Sequence, residues 1–367
     1  MKAVQKTEPK IGAKLVEVPT PTNLKPGWTL VKVRATSICG TDIHIWNWDQ
    51  WSQGRIGEKA LPQILGHEFC GEVVELGPNC NRIKVGDYVS AETHIYDPGD
   101  LTSMLGIFHV GNNMKILGVD TDGCFADYVA IPEIVLWKND KTMPPEYASI
   151  QEPLGNACYA VMGEDNDVYG KTMLITGDGP ISLFAIGVAK AAGASKIIQF
   201  GMAQYSMEIG RKMGVDIQID VTKTTPDERY KIVMDNTGGW GCDIVCEMIG
   251  AQSSLDDAFR CIRKGGRFSA FGIPSKSPSQ IDYTDQIVFK GIQIHGISGR
   301  KIFDTWYRNG NMLANRKLDP TPVVTHLMAL EDYQKAFEML TAPTRQCAKI
   351  VMFPDKQELN AALARRK

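Results

Sequence analysis

From residue 171 onward the sequence alternates between short apolar segments of strand length and longer stretches with helical character. The apolar segments are "KTMLITGDG" (171–179), "SKIIQFG" (195–201), "CDIVCEMIG" (242–250), "GRFSAFG" (266–272) and "IQIHGISG" (292–299). Between them lie "PISLFAIGVAKAAGA" (180–194), "YSMEIGRKMG" (205–214) and "SSLDDAFRCIRKGG" (253–266). Parallel neighbours need a long crossover, and strands covered on both faces read as continuous apolar runs. The alternation therefore predicts a doubly wound parallel sheet of the α/β class.

Within that sheet "TGDGPIS" (176–182) ends the first strand and opens the first helix. In this context a G-x-G-x-x-G pattern has a mechanical meaning. Gly177 permits the tight turn, Gly179 lets backbone approach a pyrophosphate, and Pro180 and Ile181 begin the helix whose positive end faces it. The third glycine is replaced by Ser182, small enough for close packing. The pattern predicts a Rossmann dinucleotide site. At the end of the second strand, where an acidic residue usually holds the adenine ribose, stands Gly201. No Arg or Lys follows in "MAQYSM" (202–207) to receive a 2′-phosphate. NAD and NADP both remain open, and Gly201 alone predicts weak discrimination between them.

Residues 1 to about 150 have a different texture, punctuated by Gly and Pro, with short β-branched runs such as "TLVKVRAT" (29–36) and "CGEVVELG" (70–77). An irregular β domain is expected there. The segment 330–353 reads as a helix followed by a strand that rejoins this first domain. The tail 356–367 reads as a solvated or subunit-contacting helix. A chain of 367 residues exceeds the size of one core. With 40 basic and 42 acidic residues it has no excess charge to attract nucleic acid or an anionic membrane. No apolar run reaches the length of a membrane span. A small-molecule substrate fits better. The opening "MKAVQKTEPKIG" has no signal-peptide core, so a cytoplasmic location with nine free or ligating cysteines is expected.

The first domain also carries "SICGTDIH" (37–44), "LGHEF" (65–69) and "QEPLGNA" (151–157). Cys, His and carboxylate side chains suit Zn²⁺, and catalytic zinc keeps one position open beside three protein ligands. Each fragment alone is weak, since a lone buried Cys or His is more often structural. In their order, together with "ETHI" (92–95) and "HGISGRKIFDTWY" (295–307), they resemble the zinc-dependent medium-chain dehydrogenase family over essentially the whole chain.

The resemblance implies a chaperonin-10-like (GroES-like) β-barrel catalytic domain, residues 1–156 and 299–367, with the Rossmann domain, residues 157–298, inserted into it. It implies zinc ligands at Cys39, His67 and Glu152, with Glu68 a nearby carboxylate that binds or exchanges. Thr41 would touch the reacting hydroxyl, His44 would pass its proton to water, Asp42 would orient His67, and His94 would lie on the substrate side. For His94 a hydrogen-bonded core role stands at even odds. Ile297 and Ser298, in the "HGISG" stretch, are expected on the cofactor side through the same likeness. Trp46, Trp48 and Trp51 are assigned no chemistry. Where many relatives carry four cysteines for a structural zinc, this chain has Asp97, Asp100, Ser103 and Gly111. One catalytic zinc and no structural zinc are expected, the two aspartates being solvated. The expected reaction is oxidation of a secondary alcohol by NAD or NADP, the family likeness leaning to NAD. The C3 hydroxyl of L-threonine is the leading substrate, a polyol or diol is the alternative, and a silent binding protein comes third. A homo-oligomer, dimer or tetramer, is the expected assembly.

Overall fold

The computed structural model describes residues 1–273 and 279–366. It divides into two compact units, one of Met1–Pro153, Lys301–Trp306 and Val324–Lys367, the other of Leu154–Arg300 and Tyr307–Val323.

The first unit is built on a long strand, Trp28–Ser37, whose alternating burial leaves Lys32 exposed between Val31 and Val33. It pairs antiparallel with Glu68–Leu76, Tyr128–Pro132 and Lys349–Phe353, so strands from both ends of the chain meet on it. Val324–Ala329 lies parallel to Lys349–Phe353, and Tyr88–Ala91 and Leu136–Lys138 extend the other side. A second, three-stranded sheet joins Lys14–Glu17, Lys2–Lys6 and Gln63–Ile64. The core between them holds Val31, Phe69, Val73, Phe125 and Phe337, all essentially inaccessible. Trp46 stacks on Phe337 at 4.4 Å, so it belongs to this core. The helix Tyr333–Thr341 and strand Lys349–Phe353 form the expected pair. The tail forms the expected helix, Lys356–Ala364, largely exposed with only Ala362 buried. It is also tied to its own unit, by the half-buried pair Arg34–Glu358 and, just beyond the helix, by Arg365 on the buried carboxylate of Glu146.

The second unit is the doubly wound sheet. Its strand order is Ile217–Asp220, Lys196–Gly201, Thr172–Thr176, Cys242–Glu247, Ile262–Ala270, Gln293–Gly296, every pair parallel. In chain order this is 3-2-1-4-5-6, which places the topological switch beside the first strand, where such sheets bind dinucleotides. The edge strand Ile217–Asp220 escaped the sequence reading because its polar Gln218 and Asp220 break the apolar run. The predicted helix 253–266 ends at Cys261, and Ile262 already begins the next strand. Helix Pro226–Asn236 has a capping box in which Thr225 and Glu228 satisfy each other's backbone amides.

Candidate metal and nucleotide sites

Strand register brings the first site together. Ser37 pairs with Glu68 and Val351 with Ser37, so three strands end side by side. Cys39 lies just past one end, His67 just before the second, and Lys349 at the third. Gly66, at φ +91°, makes the turn into His67, and any Cβ there would collide with the Phe125 ring. Cys39 is the N-cap of the helix Gly40–Asn47.

Among the described residues, Cys39, His67 and Glu68 form a group whose donor atoms all lie within 4.8 Å of one another. A thiol sulfur, an imidazole nitrogen and a carboxylate oxygen are a donor set that fits Zn²⁺. Asp42 is buried between two members of the group. Its Oδ2 accepts the Cys39 amide at 2.8 Å, and its Oδ1 faces His67 Nδ1 at 3.6 Å. Neither Oδ1 nor Nδ1 has a hydrogen-bond partner. With Nδ1 turned to Asp42, Nε2 is the nitrogen left for a metal. Burial works against charge on His67, but Asp42 and Cys39 outweigh it and raise its pKa well above the ordinary value. Metal would displace that proton, so uptake is coupled to proton release.

Glu68 is held differently from the other two. Its oxygens accept Lys349 Nζ at 2.9 and 2.8 Å, and Ser37 Oγ also donates to it. Burial opposes the Lys349 charge, yet Glu68 outweighs it and keeps the ammonium ionised above lysine's usual range. Glu152 lies outside the group of three. It is 4% exposed, in the first turn of the helix Gln151–Met162, with Thr93 Oγ1 donating to it at 3.4 Å.

Thr41 Oγ1 is 3.9 Å from Cys39 Sγ. His44, one turn further along the helix, is exposed, with Nδ1 2.5 Å from Asp49 Oδ2 and its ring 5.8 Å from Trp51. Burial raises the Asp49 pKa, but the His44 ring and the Ser52 amide outweigh it and hold the carboxyl below its usual value. His94 is buried, and its amide donates to Glu92 Oε1 at 2.9 Å; Glu92 Oε2 accepts Trp306 Nε1 at 3.0 Å.

In the second unit Gly177 has φ +94°, with Ser182 Oγ 3.0 Å and Ile249 Cγ1 3.1 Å from its Cβ position. Ser182 turns its hydroxyl to the Thr176 carbonyl at 3.3 Å, which is how the departure from glycine is accommodated. Gly179 is the N-cap of helix Pro180–Ala191, and a Cβ there would meet nothing within 4 Å. This cradle fits a pyrophosphate on the helix N-terminus. Ile297 is buried after the last strand and Ser298 is exposed. Buried Glu247 fixes the neighbouring turn by accepting the Ile249 and Gly250 amides at 3.0 Å and Ser254 Oγ at 2.6 Å.

Fold and sites together define a metal-assisted, nicotinamide-linked alcohol dehydrogenase. The family model described as alcohol dehydrogenase GroES-like domain matches residues 25–141, and that described as zinc-binding dehydrogenase matches residues 180–315. The chain belongs to this zinc-binding dehydrogenase family. It is 44% identical to an L-threonine 3-dehydrogenase of Bacillus velezensis over 96% of this chain and 99% of the relative. It is 42% identical to the Thermococcus kodakarensis enzyme of the same name, covering 97% and 99%. Among solved structures, a 2R,3R-butanediol dehydrogenase from Bacillus subtilis superposes with a TM-score of 0.85 at 26% identity, covering 96% and 99%.

Lys349, Glu247 and Asp42's hold on the Cys39 amide were not read from sequence as parts of a site. The first two carried a signal, each being a charge at the end of an apolar run: Lys349 before "IVMF" and Glu247 after "IVC".

Proposed function

We propose that this chain oxidises the C3 hydroxyl of L-threonine to 2-amino-3-oxobutanoate. The C3 hydrogen leaves as hydride to NAD(P)⁺ and the hydroxyl proton goes to solvent. The Cys39–His67–Glu68 group, with His67 and Glu68 buried and Cys39 half-buried, carries the reading, in a chain whose end-to-end kin are L-threonine 3-dehydrogenases. Cys39, His67 and Glu152 hold one catalytic zinc, and Glu68, neutralised by Lys349, stands beside it as an exchangeable carboxylate. Bound zinc supplies Lewis acidity that brings a hydroxyl pKa towards ~7. Asp42 orients His67 and fixes the Cys39 backbone. Thr41 hydrogen-bonds the reacting hydroxyl and relays its proton, giving up its own as it takes the substrate's, and His44, paired with Asp49, releases a proton to water. His94 borders the substrate.

Gly177, Gly179, Pro180, Ile181, Gly201, Ile297 and Ser298 make the dinucleotide site, within a cofactor domain bounded functionally at 157 and 298. The enzyme acts in the cytoplasm, which fits nine cysteines that all stand as free thiols. It assembles as a homo-oligomer, dimer or tetramer. The edge strand Gln293–Gly296 leaves Ile294 exposed, surface that a second copy would cover. A polyol or diol dehydrogenase is the second reading, favoured by the likeness to the butanediol enzyme.

The test is NADH and NADPH formation from L-threonine, 2,3-butanediol, sorbitol and simple alcohols by zinc-loaded protein. A catalytic efficiency for L-threonine at least tenfold above the others is expected. A higher efficiency for butanediol or sorbitol transfers the assignment to the second reading, and no turnover of any substrate removes both.

A further inference from the structure

Gly201 ends the second strand of the sheet without a side chain, yet its Cβ position is not bare. Asp178 Cβ and Oδ2 each lie 3.4 Å from it, and Met207 Cγ lies 3.0 Å from it. Asp178 belongs to the glycine loop, between Gly177 and Gly179. Its Oδ2 accepts the amides of Met202 at 2.8 Å and Ala203 at 2.7 Å, the first two residues beyond the strand. A carboxylate therefore occupies the strand end after all, delivered from the neighbouring turn.

We propose that Asp178 stands in for the missing strand-end acid and selects NAD⁺ over NADP⁺ by reading the adenine ribose. The assignment rests on the reading of this chain as a nicotinamide-linked dehydrogenase. Three observations support it. Asp178 Oδ1 has no hydrogen-bond partner among the described residues, so it is available to a ribose hydroxyl. The Met202 and Ala203 amides, donors that a 2′-phosphate at the strand end would need, are already engaged by Oδ2. No cationic side chain lies in 202–207, and Arg211 one turn further pairs with Glu208. A phosphate there would meet a fixed negative charge with no cation in 202–207 to compensate it. Gly201 alone predicts weak discrimination; Asp178 reverses that expectation.

The two residues are also reciprocal in space. A carboxylate at 201 would abut Asp178, and like charges at contact distance disfavour joint ionisation. Gly201→Asp alone should therefore gain no selectivity, whereas the same change in an Asp178→Ala background should recover it.

The experiment is equilibrium binding of NADH and NADPH to full-length zinc-loaded protein, followed by nucleotide fluorescence and independently by calorimetry, with adenosine 2′-phosphate and 5′-AMP as competitors. The wild type should bind NADH about a hundredfold or more tighter than NADPH. Asp178→Asn keeps an oxygen for the two amides but removes the charge, and should narrow the ratio by about tenfold. Asp178→Ala frees the amides and should narrow it further, with adenosine 2′-phosphate becoming the better competitor. The double variant Asp178→Ala/Gly201→Asp should restore preference for NADH. A ratio within about twofold of wild type in both single Asp178 variants overturns the role of Asp178 while leaving the dehydrogenase reading intact. Failure of wild type to bind either dinucleotide overturns both. The Asn variant covers the case in which the Ala variant does not fold.

Discussion

Two parts of the first unit concentrate polar side chains in small loops, and they are built in opposite ways. At the convergent strand ends, a sulfur of Cys39, a nitrogen of His67 and an oxygen of Glu68 lie within 4.8 Å of one another, and although Lys349 and Ser37 hold Glu68, His67 Nδ1 and Asp42 Oδ1 face each other without a hydrogen bond. In the lobe 96–113 the carboxylates are satisfied internally. Asn113 donates its amide to Asp100 Oδ2 at 2.9 Å and its side-chain nitrogen to Asp97 and Asp100 at 3.2 Å, and Gly99 donates to Asp97 at 2.8 Å. Asp100 is buried rather than solvated as expected, because Asn113 replaces water around it. A Cβ at Gly111 would lie 2.6 Å from Asp100 Oδ2, and Tyr96 packs on Phe108 at 4.7 Å. The first arrangement is shaped to receive a cation. The second is already closed by amides and one aromatic contact.

The largest effect that would test this contrast is at Cys39. Cys39→Ser exchanges a soft thiolate for a poor ligand and should reduce turnover to background, with zinc content falling well below one per chain while NADH still binds. Full activity with full zinc would erase the distinction between the two regions. His44→Ala comes next, because only the first region needs a proton route. A positioned acid–base group is worth ~10²–10⁴-fold, and an exposed relay residue should fall at the lower end. The loss should be greatest below neutral pH, where solvent base is scarcest, and partly rescued by added imidazole. A change under about threefold across the whole pH–rate profile would mean that the proton leaves by another way.

The sequence makes the layer architecture and the donor types readable for a physical reason: periodicity records burial, and ligand chemistry is fixed by residue identity. It does not record register. Nothing in "AKIVMF" says that Lys349 will sit beside Glu68, because that follows from the pairing of Val351 with Ser37 across more than three hundred residues. Asp178 is the sharper case. Reading the strand end alone finds Gly201 and no acid, since the carboxylate arrives from a different turn. An acidic residue between the glycines of a phosphate-binding loop was itself the signal, for an anion beside an anion needs another partner. In the lobe, the order of positions 97, 100, 103 and 111 was legible, but Asn113, which holds it closed, lies outside that pattern.

Asp42→Asn sharpens the comparison at the next scale. The amide can still accept from the Cys39 backbone, but it removes the charge facing His67. Partners of this kind typically contribute ~10–100-fold to metal affinity, and a drop of that size is expected in competition with a chelator of known strength. Unchanged zinc affinity would show that Asp42 serves the helix N-terminus alone.

The smallest effect belongs to the lobe. Asn113→Ala removes the two side-chain hydrogen bonds to Asp97 and Asp100 but leaves the backbone donor in place. Both bonds are long at 3.2 Å, so a local cost of about 1–2 kcal/mol is expected rather than the upper range for charged acceptors. Amide exchange should quicken across 97–113, and the lobe should become the first point of limited proteolysis. Zinc stoichiometry should stay at one per chain, and turnover of the zinc-loaded enzyme should be unaffected. If the wild type instead carries a second tightly held ion, lost on Asn113→Ala or Asp100→Ala, then the lobe is a metal site assembled from carboxylates. The line between a loop that receives a cation and one that has replaced it with amides would then have to be redrawn.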